Sequence, residues 1–237
     1  MNEAAFGANI VFHLGPLAIT DTVVTSWGIM LFLSAMAAIL SFGLKQESSR
    51  RQAAAETIVL TLESAVAEVM PHHARRVLPF IGTLWIFVLT ANLAGLIPGV
   101  HSPTRDLSAT AALAVLVFLS THWFGIHLNG WRAYLRHFAE PNIILIPFNI
   151  LSELTRTLAL ALRLFGNMMS LEMAALLVLL IAGFLVPVPI MMLHVVEAVV
   201  QAYIFGTLAL IYIAGALEMP EKTRESSIHS PTDKEVL

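Results

Sequence analysis

The sequence predicts an all-α membrane protein: five transmembrane crossings, an amphipathic interfacial helix, and a long tilted helical hairpin at the C-terminal end. Three observations predict this. The chain is 57% apolar and only 12% charged, with a mean hydropathy of +0.80, outside the range of soluble domains. Its apolar runs are long enough to cross a hydrocarbon core of about 30 Å. The last two runs are longer than any single crossing needs. The 237 residues are therefore read as one integral membrane domain rather than as soluble domains. A formal net charge of −3 and the lack of a basic run argue against a nucleic-acid partner. With no Cys there is neither a disulfide framework nor a thiol-based metal site, and no metal or other cofactor is expected.

The first span is expected over residues 23–44, ended by Lys45, Gln46 and Glu47. The first twenty residues hold no Lys or Arg, unlike the basic start of a cleaved signal peptide, so this span is expected to be retained. Residues 50–74 differ: Ile58, Leu62, Ala65 and Val69 recur at helical spacing while Arg50, Arg51, Glu56, Glu63 and Glu68 interrupt them. That pattern predicts an amphipathic helix on the membrane surface. A second span follows at 77–98, closed by Pro98-Gly99, and a third at 107–126 after the polar stretch Ser102–Asp106. The arms of the long hairpin are placed at 141–184 and 190–217, separated by Val186-Pro187-Val188-Pro189. From Phe148 to Phe184 no Gly-Pro break intervenes, so at about 1.5 Å per residue this arm must tilt, bend or lie partly along the membrane. Residues 218–237 are read as a polar tail.

Lysine and arginine orient the chain. Lys45, Arg50, Arg51, Arg75 and Arg76 lie between the first two spans, Arg132 and Arg136 after the third, and Lys222, Arg224 and Lys234 in the tail. The alternate loops hold only Arg105. The bias puts the N-terminus outside and the C-terminus in the cytoplasm.

Polar residues inside the hairpin carry the chemistry. Arg163 lies in the run Leu158–Phe165, where it cannot shed its proton. Holding it at the bilayer centre costs at least about 2.5–3.5 kcal/mol, which makes it a functional candidate by default. Asn142, Asn149, Arg156, Arg163 and Ser170 recur every seven residues and form one stripe, with Asn167 a turn beyond Arg163. Glu172 is nine residues on, a rotation of about 180° and a rise of about 13 Å, so it points away from Arg163. On the returning arm His194, Glu197 and Gln201 share a face. Glu172, His194 and Glu197 have the chemistry of an aqueous or proton-relay path leading inward from outside.

Plainer readings stand beside these. Arg163 can serve as a structural ion pair with Glu172 or Glu197, His194 and Glu197 as interhelical hydrogen-bonding groups, and Arg156 as a side chain snorkelling to the cytoplasmic interface. His72-His73 is a solvated pair, since adjacent residues do not share a helical face. A secondary transporter with an Arg/Glu/His relay is the alternative function, although no repeated halves are visible. An intramembrane metalloprotease would need a second histidine after His194-Val195-Val196-Glu197.

The stretch Leu160-Ala161-Leu162-Arg163-Leu164-Phe165-Gly166-Asn167-Met168 resembles the signature of the membrane-embedded a subunit of F-type ATP synthases. Asn92–Pro98, Asp106–Thr110, Glu140-Pro141-Asn142 and Gln201–Phe205 with His194 resemble the family's other segments, in the same order. The resemblance implies a non-catalytic stator subunit of the bacterial inner membrane. It implies as partners the c-subunit ring, the b-subunit peripheral stalk and the rest of the ATP synthase, which would hold the ATP chemistry. By position, Arg163 matches the arginine that faces the ring carboxylate, Asn167 its polar neighbour, and Gln201 the glutamine opposite it. Glu172 and His194 match the pair of the outer half-channel, and Asn149 and Arg156 are candidates for the inner one. Ala159 stands where some relatives carry a serine on the inner path, and Glu197 is an acid that some relatives lack.

Overall fold

Prolines and polar residues decide where each helix of this chain starts and stops. The computed structural model describes residues 10–14, 17–42, 50–97, 100–131, 146–182 and 187–228. A short antiparallel hairpin, β1 (Ile10–Leu14) and β2 (Leu17–Thr20), comes first, with Leu14 opposite Leu17. It is absent from the helix-only reading, although β-branched residues flanking Gly15-Pro16 are a hairpin signal. Six α-helices follow among the described residues: α1 (Asp21–Phe42), α2 (Arg50–Val69), α3 (Ala74–Ala94), α4 (Leu107–Asn129), α5 (Ile146–Ala182) and α6 (Pro187–Ile228). Five of them are long and apolar enough to cross a membrane; the exception is α2.

Most boundaries shift by two to four residues from the apolar-run reading, and three differences have a plain cause. The helix expected over 50–74 ends at Val69, and a turn at residues 71–73 separates it from α3. Pro71 offers no N–H and disfavours helical geometry at Met70, so the helix cannot run through. The returning arm starts at Pro187 rather than 190, because a proline is tolerated in a first turn, where no intrahelical N–H bond is lost. It also runs through the stretch read as a polar tail, to Ile228. Glu, Met, Lys and Arg there are good helix formers even without an apolar stripe. Asn142 and the first residues of the arm placed at 141–184 lie outside the described residues.

A 3-10 turn at Pro103–Arg105 joins α3 to α4, and the Asp106 carboxylate caps α4 by accepting from the Ser108 N–H at 2.9 Å. Helices α3 to α6 pack around one apolar core that includes Ile81, Val88, Val117, Leu164, Phe205 and Ile213. Gly206 sits directly under the Trp85 ring, where no side chain fits, and the Trp85 indole N–H donates to the Tyr203 carbonyl at 3.2 Å. Half of the α6 span is buried within the chain, against 11% for α5 and 6% for α1. Helices α1 and α5 therefore turn most of their apolar surface outward. At about 1.5 Å per residue, α5 and α6 reach roughly 55 and 63 Å, so both must tilt or project beyond the hydrocarbon core.

Candidate ion-translocation site

Helix α5 carries buried and bare faces at helical spacing. Leu160, Ala161, Leu164 and Met168 are buried against the core. Ser152, Arg156, Ala159, Arg163 and Ser170 lie on the outward face and are exposed. Arg163 has neither a hydrogen bond nor an ion pair with any described residue. Neither Glu172 nor Glu197 is its partner, so among the described residues its charge is not part of a structural ion pair. Exposed Leu158 and Leu162 flank it, and the surface is apolar apart from the polar stripe.

Asn167, a turn beyond, donates from Nδ2 to Gln201 Oε1 at 2.8 Å and so joins α5 to α6 at the depth of the arginine. Gln201 is buried, and its amide nitrogen has no hydrogen-bond partner among the described residues. A buried donor left unsatisfied costs about 1–3 kcal/mol, so this amide is poised for an acceptor beyond those described.

Toward the end of the bundle that holds the α3–α4 turn, a second group of residues is closely interlinked. Glu172 points away from the bare face and accepts from Arg105 Nη1 at 2.9 Å. Both side chains are largely shielded, at 16% and 28% exposure. Gly95 borders this carboxylate: a side chain there would come within 3.3 Å of Glu172 Oε1. His194, buried, donates from Nε2 to the Asn92 carbonyl at 3.3 Å. Asn92 in turn donates to the Ala198 carbonyl at 3.4 Å and accepts from Thr104 Oγ1 at 2.7 Å. Ser102 closes the network, 2.6 Å from Thr104 Oγ1 and donating to the Ala91 carbonyl at 2.9 Å. Glu172 and His194 thus meet at the same short stretch of α3 and its turn. Glu197 is half-buried and joins none of these bonds.

The opposite end of α5 holds a third group. The Arg156 guanidinium lies 4.9 Å from the centre of the Tyr212 ring, a cation–π contact rather than a free snorkel. Glu153 Oε2 is 3.7 Å from His122 Nε2. A narrow crevice with room of only about 10 Å³ runs between α4, α5 and α6, lined by Thr121, Glu153, Arg156, Thr157 and Tyr212 among others. An open groove of about 470 Å³ lies on the other side of Arg156, lined by Ser152, Thr155 and Ala159 with Phe148 and Leu151. Asn149 is half-buried and lines neither.

Arg105, Asn92, Glu153, His122 and Tyr212 are missing from the candidates drawn from sequence. Asn92 lies inside a family-like segment, which was a usable signal. Arg105 had one as well: it is the only Lys or Arg of its loop, next to a proline-fixed turn.

The family model described as ATP synthase A chain matches residues 23–214. The chain is 58% identical over 225 residues to ATP synthase subunit a 2 of Pelobacter propionicus, covering 95% of this chain and 96% of that one. It is 59% identical over 218 residues to ATP synthase subunit a 1 of Hahella chejuensis, covering 92% of each. It is 53% identical over 223 residues to ATP synthase subunit a of Legionella pneumophila, covering 93% and 96%.

Proposed function

The chain belongs to the ATP synthase A chain family, and on that premise we propose that it is the membrane stator of a rotary F-type ATP synthase. It forms two ion half-channels and supplies the arginine that faces the c-ring carboxylate, with no catalytic chemistry of its own. The observation that carries this reading is Arg163: a permanent charge on the outward face of a spanning helix, without a partner in the described chain. A cation held at that depth needs an anion. The bare face of α5 is where a ring of hairpin subunits would bring one.

In this reading a proton enters from outside through the region of Glu172 and His194, with Glu197 as the free acid on the same helix as the histidine. It neutralises a ring carboxylate, which then travels through lipid without the large penalty an ionised group would meet. The inner path is the groove at Ser152, Thr155 and Arg156, with Asn149 toward its cytoplasmic end. There the proton leaves, and Arg163 stabilises the returning carboxylate. Because arginine does not deprotonate, it cannot relay a proton from one half-channel to the other. Asn167 and Gln201 hold the two long helices together beside it. The membrane potential contributes about 2.3 kcal/mol per charge per 100 mV. The outward apolar face of α1, with Trp27, Leu31 and Ile39 exposed, is the surface offered to the b-subunit stalk. The chain sits in the bacterial inner membrane with its N-terminus outside.

The test is ATP-driven proton pumping in vesicles that carry the complex with Arg163→Ala. Pumping is expected to fall to background while the c-ring still co-purifies. Pumping at wild-type rate per complex would overturn the assignment.

A further inference from the structure

Arg105 is not needed to hold its own loop. The turn from α3 to α4 is already fixed by Ser102 on the Ala91 carbonyl, by Thr104 on Asn92, and by Asp106. Asp106 caps α4 and also accepts from the Thr22 hydroxyl at 2.9 Å. Pro103 stiffens the same turn. The guanidinium on this rigid mount makes one polar contact, at 2.9 Å to Glu172 on α5. Gly95 leaves the space that lets the carboxylate sit there. Among the described residues the other titratable groups at this end are otherwise engaged or apart: Asp106 with Thr22 and Ser108, His194 with the Asn92 carbonyl, and Asp21, Glu197 and the exposed His101 outside the network.

We propose that Arg105 is the positioning residue of the outer port. It holds the Glu172 carboxylate against the α3–α4 turn between ion passages and yields it to each ion that arrives. The cycle balances in charge. An incoming proton neutralises Glu172 and frees the guanidinium, and the port opens. When the proton moves inward to the ring, the carboxylate re-forms its ion pair and the port closes. The proposal rests on the reading of Glu172 as part of the outer path. It adds that access is set by a cation supplied from the loop, 67 residues away in sequence.

The test uses the assembled complex and two readouts. The first is ATP-driven pumping per complex in Arg105→Ala, Arg105→Lys and Glu172→Gln. The second exploits the absence of Cys from the chain. A single Ser102→Cys reports, by its rate of reaction with a membrane-impermeant thiol reagent applied outside, how open the port is. Arg105→Ala is expected to slow pumping per complex by about tenfold, as misplacement of a working group does, and to speed labelling at position 102 several-fold. Arg105→Lys keeps the charge and is expected to recover most of both. An Arg105→Ala variant that yields less complex but pumps normally per complex would reduce Arg105 to a tether and overturn the proposal. So would unchanged labelling. Normal pumping by Glu172→Gln would instead defeat the outer-port reading itself, independently of any Arg105 variant.

Discussion

Arg163 and Glu172 stand nine residues apart on one helix, and the chain treats them in opposite ways. Glu172 turns inward, is largely shielded, and is met at 2.9 Å by a cation from a rigid loop. Arg163 turns outward, is exposed, and is met by nothing among the described residues. Both are charges in a segment apolar enough to span a membrane, so both carry the same desolvation problem. One is solved within the polypeptide, and the other is left for a second molecule to solve. The difference separates the two roles. On the function proposed above, the internally compensated group is the one that gates or positions, and the bare one is the interface residue whose counter-ion moves.

The widest separation between the two is expected in stability. Replacing Glu172 by Ala strands the Arg105 guanidinium in a half-shielded site, with an expected loss of about 1–2 kcal/mol. It is read as a lower temperature for dissociation of the subunit from the purified complex. Arg163→Ala breaks no polar contact among the described residues and is expected to leave that temperature nearly unchanged while pumping falls to background. A matching drop for both would mean that Arg163 also holds the fold together, and the contrast would collapse.

A narrower contrast lies at the Asn167–Gln201 bond, which lies beside Arg163 yet belongs to the interior. Asn167→Ala and Gln201→Ala should each weaken the α5–α6 contact, and the double variant should show a coupling of about 0.6–1.7 kcal/mol in a double-mutant cycle. Because the Gln201 amide nitrogen is buried and unpaired, Gln201→Ala should cost less stability than Asn167→Ala, which strands a buried acceptor. The reverse order would show that the amide nitrogen has a partner in the assembled complex.

Much of this was legible in the sequence because the bilayer imposes blunt rules. Apolar runs of spanning length located α1, α4 and α5, and a charge inside one of them marked Arg163. The opposed directions of Arg163 and Glu172 followed from helical rotation alone. What was not legible has a common cause. Arg105 and Glu172 meet across 67 residues, and helical periodicity reports which face a residue occupies but not what faces it. The same holds for His122 on α4 with Glu153 on α5. The extension of α6 to Ile228 was missed for another reason: leaving the apolar phase ends a membrane span, not a helix.

The smallest expected effect concerns the end of α5 away from the α3–α4 turn, where Arg156 falls between the two extremes: exposed like Arg163, yet in contact with the Tyr212 ring at 4.9 Å. A cation–π contact at an exposed site contributes about 0.5–1 kcal/mol. Tyr212→Leu keeps the apolar bulk on α6 but removes the face that steers the guanidinium. Stability should change by no more than that amount. Arg156 should then be free to swing toward the open groove at Ser152 and Thr155, and proton flux through the proposed inner path should change by about fivefold at most. Measuring passive proton flux in vesicles stripped of the ATP-hydrolysing partners isolates that step. A loss as deep as that of Arg163→Ala would mean that the tyrosine, and not merely the arginine it steers, stands in the path of the ion.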